Sequence, residues 1–197
     1  MIEDQPAIAQ SGWKLPRVRI GAIVAVALAA GFVTWLALRS DSGGKSLPQT
    51  AASPVQPVLP EVVSAARLRA LASTLGYPLY WAGPQVGVRY ELTRTNGGNV
   101  YIRYLPAGAG AGDRRPLFLA IGSYPVRNPF TQVKAASKRP GAVSLKLSGG
   151  GIAVYDRSRP TSVYFAYPDS KVQVEVYAPG GRTARSLVLA GRVAPIR

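Results

Sequence analysis

VGVRYELTRTNGGNVYIRYL, residues 86–105, decides the class of this fold. Val86, Val88, Tyr90 and Leu92 alternate with Gly87, Arg89, Glu91 and Thr93; Val100, Ile102 and Tyr104 alternate with Tyr101, Arg103 and Leu105. A period of two assigns each set to one face of a strand, and Asn96-Gly97-Gly98 between the runs is turn chemistry. Side-chain parity then selects the loop. A two-residue turn at Asn96-Gly97 would set Leu92 opposite Tyr101 and mix the faces. A three-residue loop, 96–98, with a left-handed glycine and a G1 bulge aligns the apolar sets. That register places Glu91 opposite Arg103 and predicts a cross-strand ion pair on the outward face.

The same signals recur toward the C-terminus. Leu117, Leu119 and Ile121 read as a third strand, and Asn128 as the cap of a short helix reaching about Ser137, ended by Pro140-Gly141. Val143, Leu145 and Leu147 and then Ile152 and Val154 flank Gly149-Gly150-Gly151, a second hairpin. Val163, Phe165 and Tyr167 face Val172, Val174 and Val176 across a four-residue loop, Pro168 to Lys171, with type I turn chemistry. Thr183 to Leu189 forms a last amphipathic helix, stopped by Gly191. On the N-terminal side, Leu68, Leu71, Ala72 and Leu75 fall at helical spacing, predicting a helix from Glu61, with Pro60 in its first turn and Gly76 closing it. The order α-βββ-α-ββββ-α implies an α+β fold: a largely antiparallel sheet packed with about three helices, which cover one face.

Before this domain lies a different kind of sequence. Residues 20–38, IGAIVAVALAAGFVTWLAL, carry no charge and would span roughly 28 Å as a helix, close to the hydrocarbon thickness of a bilayer. The run is longer than a secretory h-region, so a retained transmembrane signal anchor is expected. Lys14, Arg17 and Arg19 outnumber Arg39 and Lys45 across it, which points residues 1–19 to the cytoplasm as a short tail. Residues 39–60 read as a linker rich in Pro, Ser and Ala; from Ser40 on, a polyproline-like chain would reach up to about 65 Å. Residues 61–197 are then an extracytoplasmic domain, single-pass and membrane-tethered, in the cell envelope.

Composition narrows the chemistry. Among 197 residues there is neither histidine nor cysteine, which removes Ser-His-Asp and Cys-His nucleophiles, Cys/His metal sites and disulfides, and no cofactor is expected. Lys and Arg number 24 against 9 Asp and Glu, a net charge of +15. From residue 61 on the balance is +13, with clusters at Arg114-Arg115, at Lys134, Lys138 and Arg139, and at Arg157 and Arg159. These are candidate polyanion-binding residues, for anionic lipid, an acidic envelope polymer or a protein partner. Nucleic acid is not an expected partner of an exported domain. Gly108, Gly110 and Gly112 alternate with alanine but precede a strand rather than a helix, so they read as a mobile loop and not a phosphate cradle.

Tyr77, Tyr80 and Trp81, bracketed by prolines, are a candidate aromatic platform; the competing reading is a lid whose rings pack over the sheet. The acids in the domain are Glu61, Glu91, Asp113, Asp156, Asp169 and Glu175. Glu91 and Glu175 fall on outward strand positions, and Asp156 in a turn. A carboxylate-dependent hydrolase using Glu91, Asp156 or Glu175 is the alternative to a non-catalytic binding role, and it needs two of them to meet in a cleft.

The stretches GYPLYWAGP (76–84), VYFAYPDSKVQVEVYAP (163–179) and ARSLVLAGRV (184–193) resemble segments of exported single-span bacterial proteins. The closing strand–strand–helix is also similar to extracytoplasmic sensor domains attached to some anti-sigma factors. That resemblance implies an envelope location. It assigns no functional residue, because the zinc-binding, sigma-binding part of those proteins has no counterpart in residues 1–19.

Overall fold

The computed structural model describes residues 59–197, so the expected tail, span and most of the linker lie outside the described residues. Among the described residues no helix is long and apolar enough to cross a membrane. The fold is α+β, built on an eight-stranded sheet whose neighbouring strands all run antiparallel. In chain order the elements are β1 (Glu61–Val63), α1 (Ala65–Thr74), β2 (Tyr80–Trp81), β3 (Arg89–Arg94), β4 (Val100–Leu105), β5 (Ala120–Pro125) and α2 (Pro129–Ala136). They continue with β6 (Ala142–Lys146), β7 (Ile152–Asp156), β8 (Arg159–Ala166), β9 (Val172–Tyr177), α3 (Gly181–Leu189) and β10 (Ala194–Pro195). Strand order in the main sheet is β1-β3-β4-β5-β9-β8-β7-β6, with β2 and β10 forming a separate pair. Two antiparallel runs, β3–β5 and β6–β9, are thus joined through the β5–β9 seam, where Gly122 faces Glu175.

The expected hairpin register holds. Leu92 pairs with Ile102 and Glu91 with Arg103, and the amide of Gly98, at φ 80°, donates to the Thr95 carbonyl at 3.0 Å. An L-residue side chain would strain that left-handed backbone, which is why the loop needs glycine there. The four-residue loop 168–171 is also found, but Asp169 has φ 61° at the third turn position, the type II arrangement rather than type I.

The first helix starts later than its spacing suggests. Glu61–Val63 pairs with β3 at the sheet edge, and Ser64 caps α1 by accepting the Arg67 amide at 3.1 Å. Val62 and Val63 are β-branched and fit a pleated edge, whereas Ser64 offers the side-chain acceptor that a helix start requires. At the other end Leu75 leaves the helix extended, with ψ 140°. Asn128 does precede α2, but as a left-handed residue (φ 50°) whose side chain makes no cap hydrogen bond. Its αL tolerance and Pro129 at the first helical position set the helix entry instead.

The main core lies on one face. Tyr90, Leu92, Val100, Ile102, Tyr104, Ile121, Val163, Phe165, Val174 and Val176 point there, and Leu68 of α1 and Ala184 and Val188 of α3 pack against them. The expectation of helices on one face only is corrected by α2. Its Val133 and Ala136 are buried with Val154, Tyr164 and Ala166, which alternate with the main-core residues Ala153, Val163 and Phe165. At the opposite end of that second face, the 106–119 loop closes over Leu105 through Ala109 and Phe118. Both faces of the sheet are therefore covered, and the polar residues of the second face are enclosed rather than solvated.

Candidate functional site

The basic residues divide into two groups. Lys134 lies on the exposed side of α2, Lys138 and Arg139 follow its last turn, Arg157 lies in the β7–β8 turn, and Arg159 opens β8. The two segments adjoin: the Arg157 amide donates to the Gly141 carbonyl at 2.9 Å, and Ala142 pairs with Asp156. The Lys138-Arg139 and Arg157–Arg159 segments thus adjoin along the backbone, with Lys134 one turn back on α2. Lys134, Lys138, Arg157 and Arg159 are exposed and Arg139 is half-buried. Cations also complement the C-terminal end of α2. One anion belongs to this neighbourhood. The Asp156 carboxylate accepts the Ser158 amide at 2.7 Å and its hydroxyl at 2.6 Å, and these bonds hold it below the usual carboxylate range.

A cleft of about 550 Å³ opens at the other end of α2, between residues 126–131 and 168–171, with Arg127 and Lys171 in its lining. Sequence reasoning missed it, because the two cations stand apart in the chain and flank separate turns. Thr131 and Lys134 fall at helical spacing on the exposed side of α2, which runs from this cleft toward Lys138 just past its end.

Arg114 and Arg115 do not join the cluster. They belong to the 106–119 loop at the far end of the sheet, where Arg115 pairs with Asp113 (2.6 Å). That loop is tied to the sheet at several points. Arg103 donates to the Asp113 carbonyl (2.6 Å), Arg89 to the Ala109 carbonyl (2.6 Å), and the Gly112 amide donates to Glu91 (2.6 Å). The predicted Glu91–Arg103 pair forms at 2.7 Å, yet the Glu91 side chain is only 1% exposed, so it is a buried pair and not an outward one. The loop itself supplies the cover.

The aromatic trio packs inward. Tyr80 stands edge-on to Phe165, Trp81 lies against Tyr90 with the Arg69 guanidinium over its ring, and both residues are buried. Tyr77 is half-buried and donates its hydroxyl to the Gly98 carbonyl. An exposed platform is not formed; the rings act as the lid of the main core. Their apolar bodies outweigh one polar group each, a hydroxyl or an indole N–H, and the Ser123 hydroxyl and the Tyr104 hydroxyl accept the backbone amides of Tyr80 and Ala82, at 3.0 and 2.7 Å.

The three carboxylates considered for hydrolysis stay apart. Glu91 on β3 and Glu175 on β9 are three strand spacings from each other, about 14 Å, beyond the separation of roughly 5–9.5 Å used by paired glycosidase carboxylates. Asp156 lies two strands from Glu175 on the other side. Glu175 itself, expected on an outer face, is enclosed. It accepts hydroxyls from Tyr164 (2.9 Å), Ser162 (2.9 Å) and Tyr124. Burial pushes its carboxyl above the usual range and lifts the Tyr124 phenol far above its own. Alternation had put Glu175 on the right face; the closure of that face by α2 and the 106–119 loop had no local signal.

Among the described residues there is no group of acidic residues placed to hold a metal ion. No family model matches this chain, and no curated protein and no solved structure matches it. The likeness to anti-sigma-factor sensor domains therefore rests on the quoted residues alone.

Proposed function

We propose that this chain is a membrane-tethered, extracytoplasmic binding domain, non-catalytic, whose basic surface along α2 takes an anionic polymer or headgroup surface of the cell envelope. The observation that carries this reading is that the Gly141–Arg157 backbone contact brings the segment after α2, with Lys138 and Arg139, against the segment of Arg157 and Arg159, with Lys134 one turn earlier on α2. The exposed stripe of α2 links that cluster to Arg127 and Lys171, giving an extended track rather than a point site. The tether is read from residues 20–38 and the linker from residues 39–60, both from sequence. Cations held near a charged surface are each worth about 1 kcal/mol and are screened by salt.

The test is binding of the full chain, held in neutral-lipid nanodiscs, to polyphosphate and separately to vesicles containing anionic lipid, across a salt series. We expect affinity to fall steeply with salt. Replacing Lys134, Lys138, Arg157 and Arg159 together by alanine should weaken binding roughly thirtyfold or more and flatten the salt dependence. The two probes separate polymer from headgroup. Unchanged affinity in the fourfold variant would remove the track as the binding surface.

A further inference from the structure

Glu175 sits at the seam of the two antiparallel runs, 4% exposed, with hydroxyls as its hydrogen-bonding partners and, among the described residues, no salt-bridging cation. Each adjoining element sends a group to it. From β5 comes Tyr124, whose ring lies flat across Gly122; a Cβ at residue 122 would meet its Cζ at 2.6 Å. From β8 come Tyr164 and Ser162, and on β4 Tyr101 packs edge-on to Tyr124. Its own strand places Gln173 and Tyr177 beside it, and Tyr177 donates to the Pro116 carbonyl of the covering loop at 2.7 Å. The charged groups on the covers are otherwise engaged or exposed. Asp113 pairs with Arg115 and Glu91 with Arg103, Arg114, Lys134 and Lys138 are exposed, and Arg139 follows the end of α2.

Tyr164 makes the arrangement more than a satisfied polar residue. Its hydroxyl holds Glu175, while its ring belongs to the small core that seats α2 through Val133 and Ala136. A carboxylate enclosed by phenols costs desolvation energy that a neutral carboxyl does not, and charging it draws water toward the layer.

We propose that Glu175 is a built-in proton switch: its protonated carboxyl keeps the tyrosine layer closed and α2 seated, and its ionisation as pH rises loosens both. The direction follows from linkage. Folding strengthens proton binding here, so the stability this group contributes is full below the ordinary carboxyl value of 4.5 and is lost as pH rises through the folded value. The switch is independent of what the basic track binds.

The test compares urea stability of the full chain in detergent micelles with that of Glu175→Gln, from about pH 4 to about pH 8. The glutamine variant should gain on the wild type steadily as pH rises; parallel profiles would overturn the proposal. Should that variant fail to fold, the infrared carbonyl band of protonated carboxyl, in wild-type chain labelled with ¹³C-glutamate, gives a second reading. The band should persist above the ordinary range and persist to higher pH in Tyr164→Phe, which takes one hydroxyl from the anion and keeps the ring. Its absence above about pH 5 would overturn the proposal. Amide exchange over residues 129–136 should accelerate as the band disappears, and unchanged protection would refute the coupling to α2.

Discussion

At the scale of single residues, the Glu91–Arg103 pair shows how a surface feature of the sequence becomes an interior one. Its cross-strand register was legible from parity, and the pair forms at 2.7 Å. Its environment was not legible, since the cover comes from a loop of alanines and glycines with no periodicity of its own. Both partners then work twice: Glu91 also accepts the Gly112 amide, and Arg103 also donates to the Asp113 carbonyl. Arg103→Met should therefore cost about 3–5 kcal/mol in urea unfolding, the penalty of a buried charge stripped of its partner. Glu91→Gln combined with Arg103→Met should recover part of that loss, because no ion is left enclosed. Additive losses in the double variant would mean the two residues act separately.

At the scale of elements, the strands were more legible than the helices or the edge. Seven of the eight main-sheet strands overlap runs marked by alternation, because a period of two is a local property of the chain. β1 was absorbed into the helix that follows it, and β5 begins at Ala120, three residues beyond the Leu117 that was expected to open it. The reason is the same in both cases: pairing with a distant strand, β3 or β9, chose the boundary. Ser64 now carries the junction between edge strand and helix. Ser64→Ala should lower stability by about 1 kcal/mol, whereas Ser64→Gly should cost only a few tenths, measured by urea denaturation. Equal losses for alanine and glycine would show that the hydroxyl is not the cap that starts α1.

At the scale of the whole molecule, alternation along each strand sorts residues into two sets but leaves open whether the second set meets water. The basic clusters pose the same difficulty: the segments of Lys138-Arg139 and of Arg157–Arg159 adjoin through the Gly141–Arg157 contact, a tertiary event. Residues 20–38 lie outside the described residues, and the membrane span we propose there rests on local chemistry alone, nineteen residues without a charge. It also bears on the binding proposal. A domain carrying +13 on a linker of up to about 65 Å would meet anionic material at high effective concentration only if it is anchored beside it. We expect the full chain to sediment with membranes and to resist extraction by high salt and by alkaline carbonate, because an inserted helix is not held by charge. Release by salt alone would mean that the basic surface, and not residues 20–38, keeps the chain at the bilayer.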